Sequence, residues 1–206
     1  SPKTKQIVLI EAGQEDCSST KTYINTLIVL YLGLGFQIEP AITKLESTFE
    51  QMRVDAQEKA QKIFSYLSSR NVKGRTIIGS GPNMATAQEA SLTFSETTRM
   101  AWGSMSVASY DHGFKESSDD TILIILNAHG KDAKRIGLLK DTLKQGGSTA
   151  QVIELVERNI PETLTPVVFI AQLNLIMNYL GDLMAANLGH DFTFKIGGKV
   201  TIVDEQ

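Results

Sequence analysis

The chain has 206 residues, 42% apolar and 21% charged, with a formal net charge of −3. That is enough for one large or two small domains with a substantial core. The near-balanced charge, with no long run of one sign, excludes the basic face of a nucleic-acid binder. Cys17 is the only cysteine, so no intrachain disulfide forms and a reducing, cytoplasmic setting fits.

Taken in chain order, Ile7-Val8-Leu9-Ile10 is a fully apolar run, as expected for a buried parallel strand. A polar stretch follows, and Ser18, Ser19 and Thr20 are good helix-capping types. A helix is predicted over 20–34, broken by Gly33 and Gly35. The segment 24–36 is the best membrane-span candidate. It is too short and carries Asn25 and glycines, so no membrane partner and no leader are predicted.

Residues 41–70 repeat apolar side chains at helical spacing (Ile42, Leu45, Phe49, Met52, Ala56, Ala60, Ile63, Leu67) opposite dense charge. They read as an amphipathic helix or helix pair joining two α/β units. Beyond them, strands are predicted at 75–78, 121–126 and, with a weaker signal, 151–155. Helices are predicted at 83–102, 131–145 and 165–187. Strands alternating with helices mean βαβ units, so the fold class is α/β, a three-layer α/β/α sandwich on a parallel sheet. A tail with Gly197-Gly198-Lys199 and a last apolar segment, 200–203, closes the chain.

Chemistry concentrates after the strand at 75–78. Gly79-Ser80-Gly81 stands where a strand end meets a helix start, where free N–H groups and the helix dipole favour an anion. Met84 occupies the third glycine position of a dinucleotide fingerprint and no Walker pattern exists, so no nucleotide cofactor is predicted. The alternative is a tight turn without a ligand. Ser18-Ser19-Thr20-Lys21 reads either as a helix cap or as a seat for sugar hydroxyls or phosphate. Cys17 reads as a nucleophile or, preferably, as a small residue near a helix start.

Glu89 and Glu96, seven apart, fall within about 20° of one helix face, with Thr93 between them and Ala87, Leu92 and Phe94 opposite. They are either carboxylates facing a pocket, one able to act as a base, or solvated helix acids. His112 follows sixteen residues after Glu96 in the polar loop Ser109-Tyr110-Asp111-His112-Gly113, a placement suited to an acid/base group. His129 and His190 read as helix-entry and capping residues. No histidine spacing supports a metal.

In order, Gly79-Ser80-Gly81, Gln88-Glu89-Ala90-Ser91-Leu92, Ser95-Glu96-Thr97 and His112-Gly113 resemble the sugar isomerase (SIS) domain family. The likeness is to its two-domain phosphosugar isomerases and deglycases, such as the isomerase half of glucosamine-6-phosphate synthase. Ser18-Ser19-Thr20-Lys21-Thr22-Tyr23 resembles that group's Ala-Ser-Thr-Lys-Ala-Phe, and Gly198-Lys199-Val200-Thr201 its Ala-Lys-Ser-Val.

The resemblance implies that Glu96 is the base moving a proton between C1 and C2. It implies that His112, supplied by the neighbouring subunit of a homodimer, opens the sugar ring, and that Lys199 lies at the active site. Ser19 would bind substrate, and Cys17 would contact the sugar through its backbone. Thr20, Ser80, Gly81 and Glu89 complete the predicted sugar-phosphate contacts. The implied function is phosphosugar isomerisation through an enediol, with fructosamine-phosphate deglycation or non-catalytic sugar-phosphate sensing as alternatives. None of these requires a metal or organic cofactor.

Three departures stand out. Thr93 replaces the family's lysine, and Phe114 replaces the proline of His-Gly-Pro. The Ser-x-Ser-Gly-Glu-Thr phosphate loop is missing. The expected organisation is the end of a first SIS domain at 1–37, a helical connector at 38–73 and a second SIS domain at 74–206.

Overall fold

A computed structural model describes residues 9–10, 12–13, 15 and 18–189. Cys17, His190, Lys199 and the apolar segment 200–203 lie outside the described residues, as does most of the strand predicted at 7–10. The two described residues of that run, Leu9 and Ile10, are in no strand, and Leu9 is 79% exposed.

Helix α1, Lys21–Gly33, leads into α2, Glu39–Ser69. The predicted 41–70 stretch is thus one helix of 31 residues, not a pair. Pro40 lies in its first turn, where a missing N–H costs nothing. Its buried stripe is Ala41, Met52, Ala56, Ala60 and Ile63, while Phe49, expected among the apolar positions, is half exposed.

Strand β1 (Gly74–Gly79), helix α3 (Asn83–Thr98), strand β2 (Gly103–Ser106), helix α4 (Val107–His112), strand β3 (Thr121–Ala128), helix α5 (Ala133–Gln145), strand β4 (Gln151–Glu157) and helix α6 (Thr165–Leu188) follow. The strands form one parallel sheet in the order β2-β1-β3-β4. All eight residues of β3 are buried, as a central strand covered on both faces requires.

Two cores lie on the two faces of the sheet. On one, Ile77, Ile122, Ile124 and Leu126 pack with Ala60 and Ile63 of α2, Ala87, Ala90 and Phe94 of α3, and Phe169, Leu173 and Leu180 of α6. On the other, Ile78, Leu123 and Ile125 pack with Val107 and Tyr110 of α4 and Ile136, Leu139 and Leu143 of α5. The three-layer α/β class read from the sequence is the fold observed.

The predicted helix 83–102 stops earlier. Thr98 is its last residue, and Arg99 turns the chain in the left-handed region at φ 54°. The four residues Gly103-Ser104-Met105-Ser106 then form an edge strand that no run of β-branched residues announces. The predicted loop around His112 is instead helix α4, capped by Ser106, whose Oγ accepts from the Ser109 N–H at 3.0 Å.

The most apolar long helix is also not the one flagged at 24–36. The span Glu162–Leu188 is long and apolar enough to cross a membrane by length and composition, yet 56% of that window is buried within the fold. Its apolar character is that of a core helix shared by two clusters, since Val167 and Val168 also pack against Ile24, Leu27, Ile28 and Tyr31 of α1.

Candidate active site at the contact of helices α1 and α3

Helix α1 is docked by its N-terminal end, and the cap is not the predicted hydroxyl cluster. Thr20 makes no side-chain cap. Glu15 reaches in instead, accepting from the Thr20 hydroxyl at 3.0 Å, the Thr22 N–H at 3.2 Å and the Lys21 N–H. Burial pushes the Glu15 carboxyl up, but the hydrogen bonds from Thr22, Lys21 and Thr20 outweigh it and hold the group below its ordinary value. A carboxylate here also meets the positive end of the helix dipole. Thr20 is therefore engaged in ordering the helix start.

That order brings α1 to α3. The Ser18 and Thr97 hydroxyls stand 3.4 Å apart across 79 residues of sequence. One turn further along, Tyr23 of α1 comes within electrostatic reach of Glu89 and Thr86. Burial raises its phenol first, and the Glu89 charge raises it further. Ser19, one position along, is half-buried on the same docked segment. Sequence reasoning passed over Tyr23, Thr86 and Thr97. The signal was present in the threonines at 86, 93 and 97, which recur at helical spacing on a helix with few large apolar residues.

Helix α3 is buried on more than its sheet side, enclosing Thr86, Thr93, Thr97 and Thr98 as well as Ala87, Ala90 and Phe94. Thr93 is 1% exposed and turns its hydroxyl back to the Ala90 carbonyl at 3.2 Å. It offers no free donor between the two acids. Leu92, expected opposite them with Ala87 and Phe94, is 54% exposed.

Glu89 and Glu96 are both half-buried. One oxygen of Glu96, Oε2, is shut off from solvent and has no hydrogen-bond partner. A buried carboxylate oxygen left unsatisfied is costly and uncommon in a structural role. It is also what a base needs when the proton it takes belongs to a ligand.

The glycine corner is not part of this constellation. Gly79-Ser80-Gly81 precedes the first turn of α3, while Glu96 lies in its last. The intervening helix is about 20 Å long at 1.5 Å per residue. Ser80 and Gly81, predicted to hold substrate beside Glu96, are thus at the opposite end of α3. The close packing of α3 on β1 explains the first glycine. A Cβ on Gly79 would fall 2.3 Å from the Asn83 carbonyl oxygen.

His112 ends α4 and is exposed. Because α4 packs on one face of the sheet and α3 on the other, the imidazole and the Glu96 carboxylate of one chain are carried on opposite layers. His129 follows β3 and is exposed, its N–H donating to the Glu157 carbonyl at 3.1 Å. Among the described residues, no three histidine, cysteine, aspartate or glutamate side chains are grouped so as to hold a metal ion.

Comparison with family models and with curated proteins finds no match. Comparison with solved structures finds the fold. The C-terminal domain of glucosamine-fructose-6-phosphate aminotransferase from Francisella tularensis superposes at a TM-score of 0.59 and 16% identity, over 84% of this chain and 57% of that one. Glucosamine-6-phosphate deaminase from Thermotoga maritima gives 0.61 and 17%, over 84% and 52%. A Clostridium difficile 630 protein named as a suspected phosphosugar isomerase gives 0.66 and 18%, over 95% and 61%. The chain has the SIS-type α/β fold, and it spans little more than half the length of these structures.

Proposed function

We propose that the chain carries the catalytic carboxylate of a phosphosugar isomerase acting on a hexose or amino-sugar phosphate. The observation that carries this reading is the buried, unpartnered Oε2 of Glu96, on the same last turns of α3 as Thr97, whose hydroxyl stands 3.4 Å from that of Ser18. In this reading the carboxylate removes the proton from C2 of an open-chain aldose. The electron pair left behind forms the C1–C2 double bond of an enediol as the C1 oxygen gains a proton. Return of a proton to C1 and loss of one from the C2 hydroxyl give the ketose. Electrons stay within the substrate, so no oxidant or reductant enters.

Ser18, Ser19 and Thr97 are the hydroxyls positioned for sugar oxygens, with Glu89 and Tyr23 further along the same face. His112 opens the ring from a second copy of the chain, consistent with its place on the layer opposite α3. Lys199 and the Cys17 backbone complete the set. The working protein is a cytoplasmic homodimer that needs no cofactor. Removal of an amine from a fructosamine phosphate uses the same base, and a deaminase shares the fold. The absence of an amine at Thr93 favours isomerisation.

Replacing Glu96 by Gln tests the assignment. Fructose-6-phosphate binding, read by thermal shift, is expected to persist. Deuterium wash-in at the exchangeable carbon, read by NMR in heavy water, is expected to fall about 10²–10⁴-fold. Undiminished exchange removes Glu96 from the mechanism. A thermal shift without any turnover by the parent chain favours a sensor.

A further inference from the structure

The glycine corner at the other end of α3 has its own chemistry. The order β2-β1-β3-β4 places the topological switch point between β1 and β3, whose chains leave in opposite directions. A crevice at the carboxyl ends of such strands is where open α/β sheets bind ligands. Ile78 pairs with Ile125. That is the last pair, so Ser80 leaves the sheet just beyond the carboxyl end of β1, while β3 runs on through Asn127 to Ala128.

Ser80 is 8% exposed and Asn127 4% exposed. Ser80 Oγ and Asn127 Oδ1 are both buried without a hydrogen-bond partner. The orientation of the Asn127 amide is fixed chemically, because its Nδ2 donates to the Glu154 carboxylate at 2.6 Å. Oδ1 is therefore a buried acceptor with nothing to accept.

A third acceptor stands at the two glycine turns. The Glu162 carboxyl lies against both glycine turns that leave the two strands. A Cβ on Gly130 would fall 2.2 Å from the Glu162 carboxyl carbon, and one on Gly81 would fall 3.4 Å from Oε1. A side chain at 130 would push the Glu162 carboxyl out of this position. Among the described residues the Glu162 carboxylate has no hydrogen bond or ion pair. It stands beside the first turn of α3, where its charge offsets the dipole that would otherwise draw an anion.

We infer that this crevice is a second ligand site, distinct from the Glu96 site, and that it takes a primary ammonium group rather than a phosphate. An ammonium offers three donors and a positive charge. Glu162 supplies the counter-charge, Asn127 Oδ1 accepts one proton, and Ser80 Oγ accepts another. A phosphate would meet a carboxylate and a lone amide oxygen, both repulsive. This overturns the anion seat that the glycine pattern alone suggests.

The test is a titration of the full chain, followed by backbone amide NMR, with glucosamine, N-acetylglucosamine and inorganic phosphate at neutral pH. Glucosamine is expected to shift the amides of 79–83 and 127–130. N-acetylglucosamine, whose nitrogen carries no charge, is expected to bind there about tenfold more weakly or not at all, and phosphate is expected to leave these amides unmoved. Glu162→Gln, which keeps the shape and removes the charge, is expected to weaken glucosamine about tenfold while Glu96→Gln leaves it unchanged. Phosphate shifts at 79–83, or equal binding of glucosamine and its N-acetyl form, would overturn the inference. So would a Glu162→Gln chain that melts earlier yet binds glucosamine as before, which would reduce Glu162 to a helix cap. The ligand-side comparison needs no variant, and it fails independently of the isomerase reading.

Discussion

At the scale of single residues, two positions turn local geometry into measurable consequences. Gly79 has no spare room, because a Cβ there would sit 2.3 Å from the Asn83 oxygen and 2.8 Å from its carbonyl carbon. These are backbone atoms of the helix start and cannot rotate aside. Gly79→Ala is expected to cost about 1–3 kcal/mol, as overpacked sites do, visible as a lower urea midpoint with an unchanged slope. Glu15 gives a pH dependence. Its carboxyl titrates below its ordinary value in the folded chain, so its contribution is complete above the usual carboxylate range and is lost as pH falls through the lowered folded value. Protection of the 21–24 amides against hydrogen exchange, corrected for intrinsic rates, is expected to drop several-fold across that acid window. Glu15→Gln is expected to show the weaker protection already at neutral pH and a flatter acid response.

At the scale of elements, α3 joins the sequence pattern, the core and both candidate sites. Phe94 is fully buried and stacks edge to face on Trp102, with ring centroids 4.8 Å apart, while the indole N–H donates to Thr98 Oγ1 at 3.0 Å. Phe94→Ala is expected to lose about 3–5 kcal/mol. The sole tryptophan makes its unfolding readable by fluorescence. What could be read along the chain depended on the strength of the periodic signal. The central strand 121–128 and the helix at 165–188 are strongly apolar, the helix at 39–69 is long and strongly periodic, and all three stand within a few residues of where the pattern puts them. Strand β2 escaped because four edge residues, two of them serine, carry no alternation. Helix α4 escaped because it is only six residues long and half of them are polar.

The candidate site shows the same division. Glu89, Glu96 and the 18–20 segment could be picked out by residue type and spacing. What spacing could not show was that Ser80 and Gly81 stand a helix-length away from Glu96. Nor could it show that Glu15 caps α1, or that Glu162, at the start of a short 3-10 turn with no motif, lies against the glycine corner. Those facts belong to contacts between elements far apart in sequence.

For the molecule as a whole, the two-layer placement of Glu96 and His112 makes a mixing experiment decisive. If each site takes its carboxylate from one chain and its imidazole from another, Glu96→Gln and His112→Ala chains are each inactive alone. Unfolded together and refolded as a mixture, they are expected to recover about a quarter of the parent turnover, since half of the dimers are mixed and each holds one intact site. Recovery of nothing would place both groups in the same chain or remove one from catalysis.

The parallel register carries a last consequence, for how the protein is born. Each residue of β1 finds its β3 neighbour 47 positions later, so a chain leaving the ribosome exposes the apolar Thr76-Ile77-Ile78 run well before the strand that will shelter it has been made. Synthesis advances at about 5–20 residues per second, which leaves that edge bare for seconds. Pausing codons between 80 and 120 would lengthen this interval, and a holding chaperone that captures stalled nascent chains would find its natural grip there.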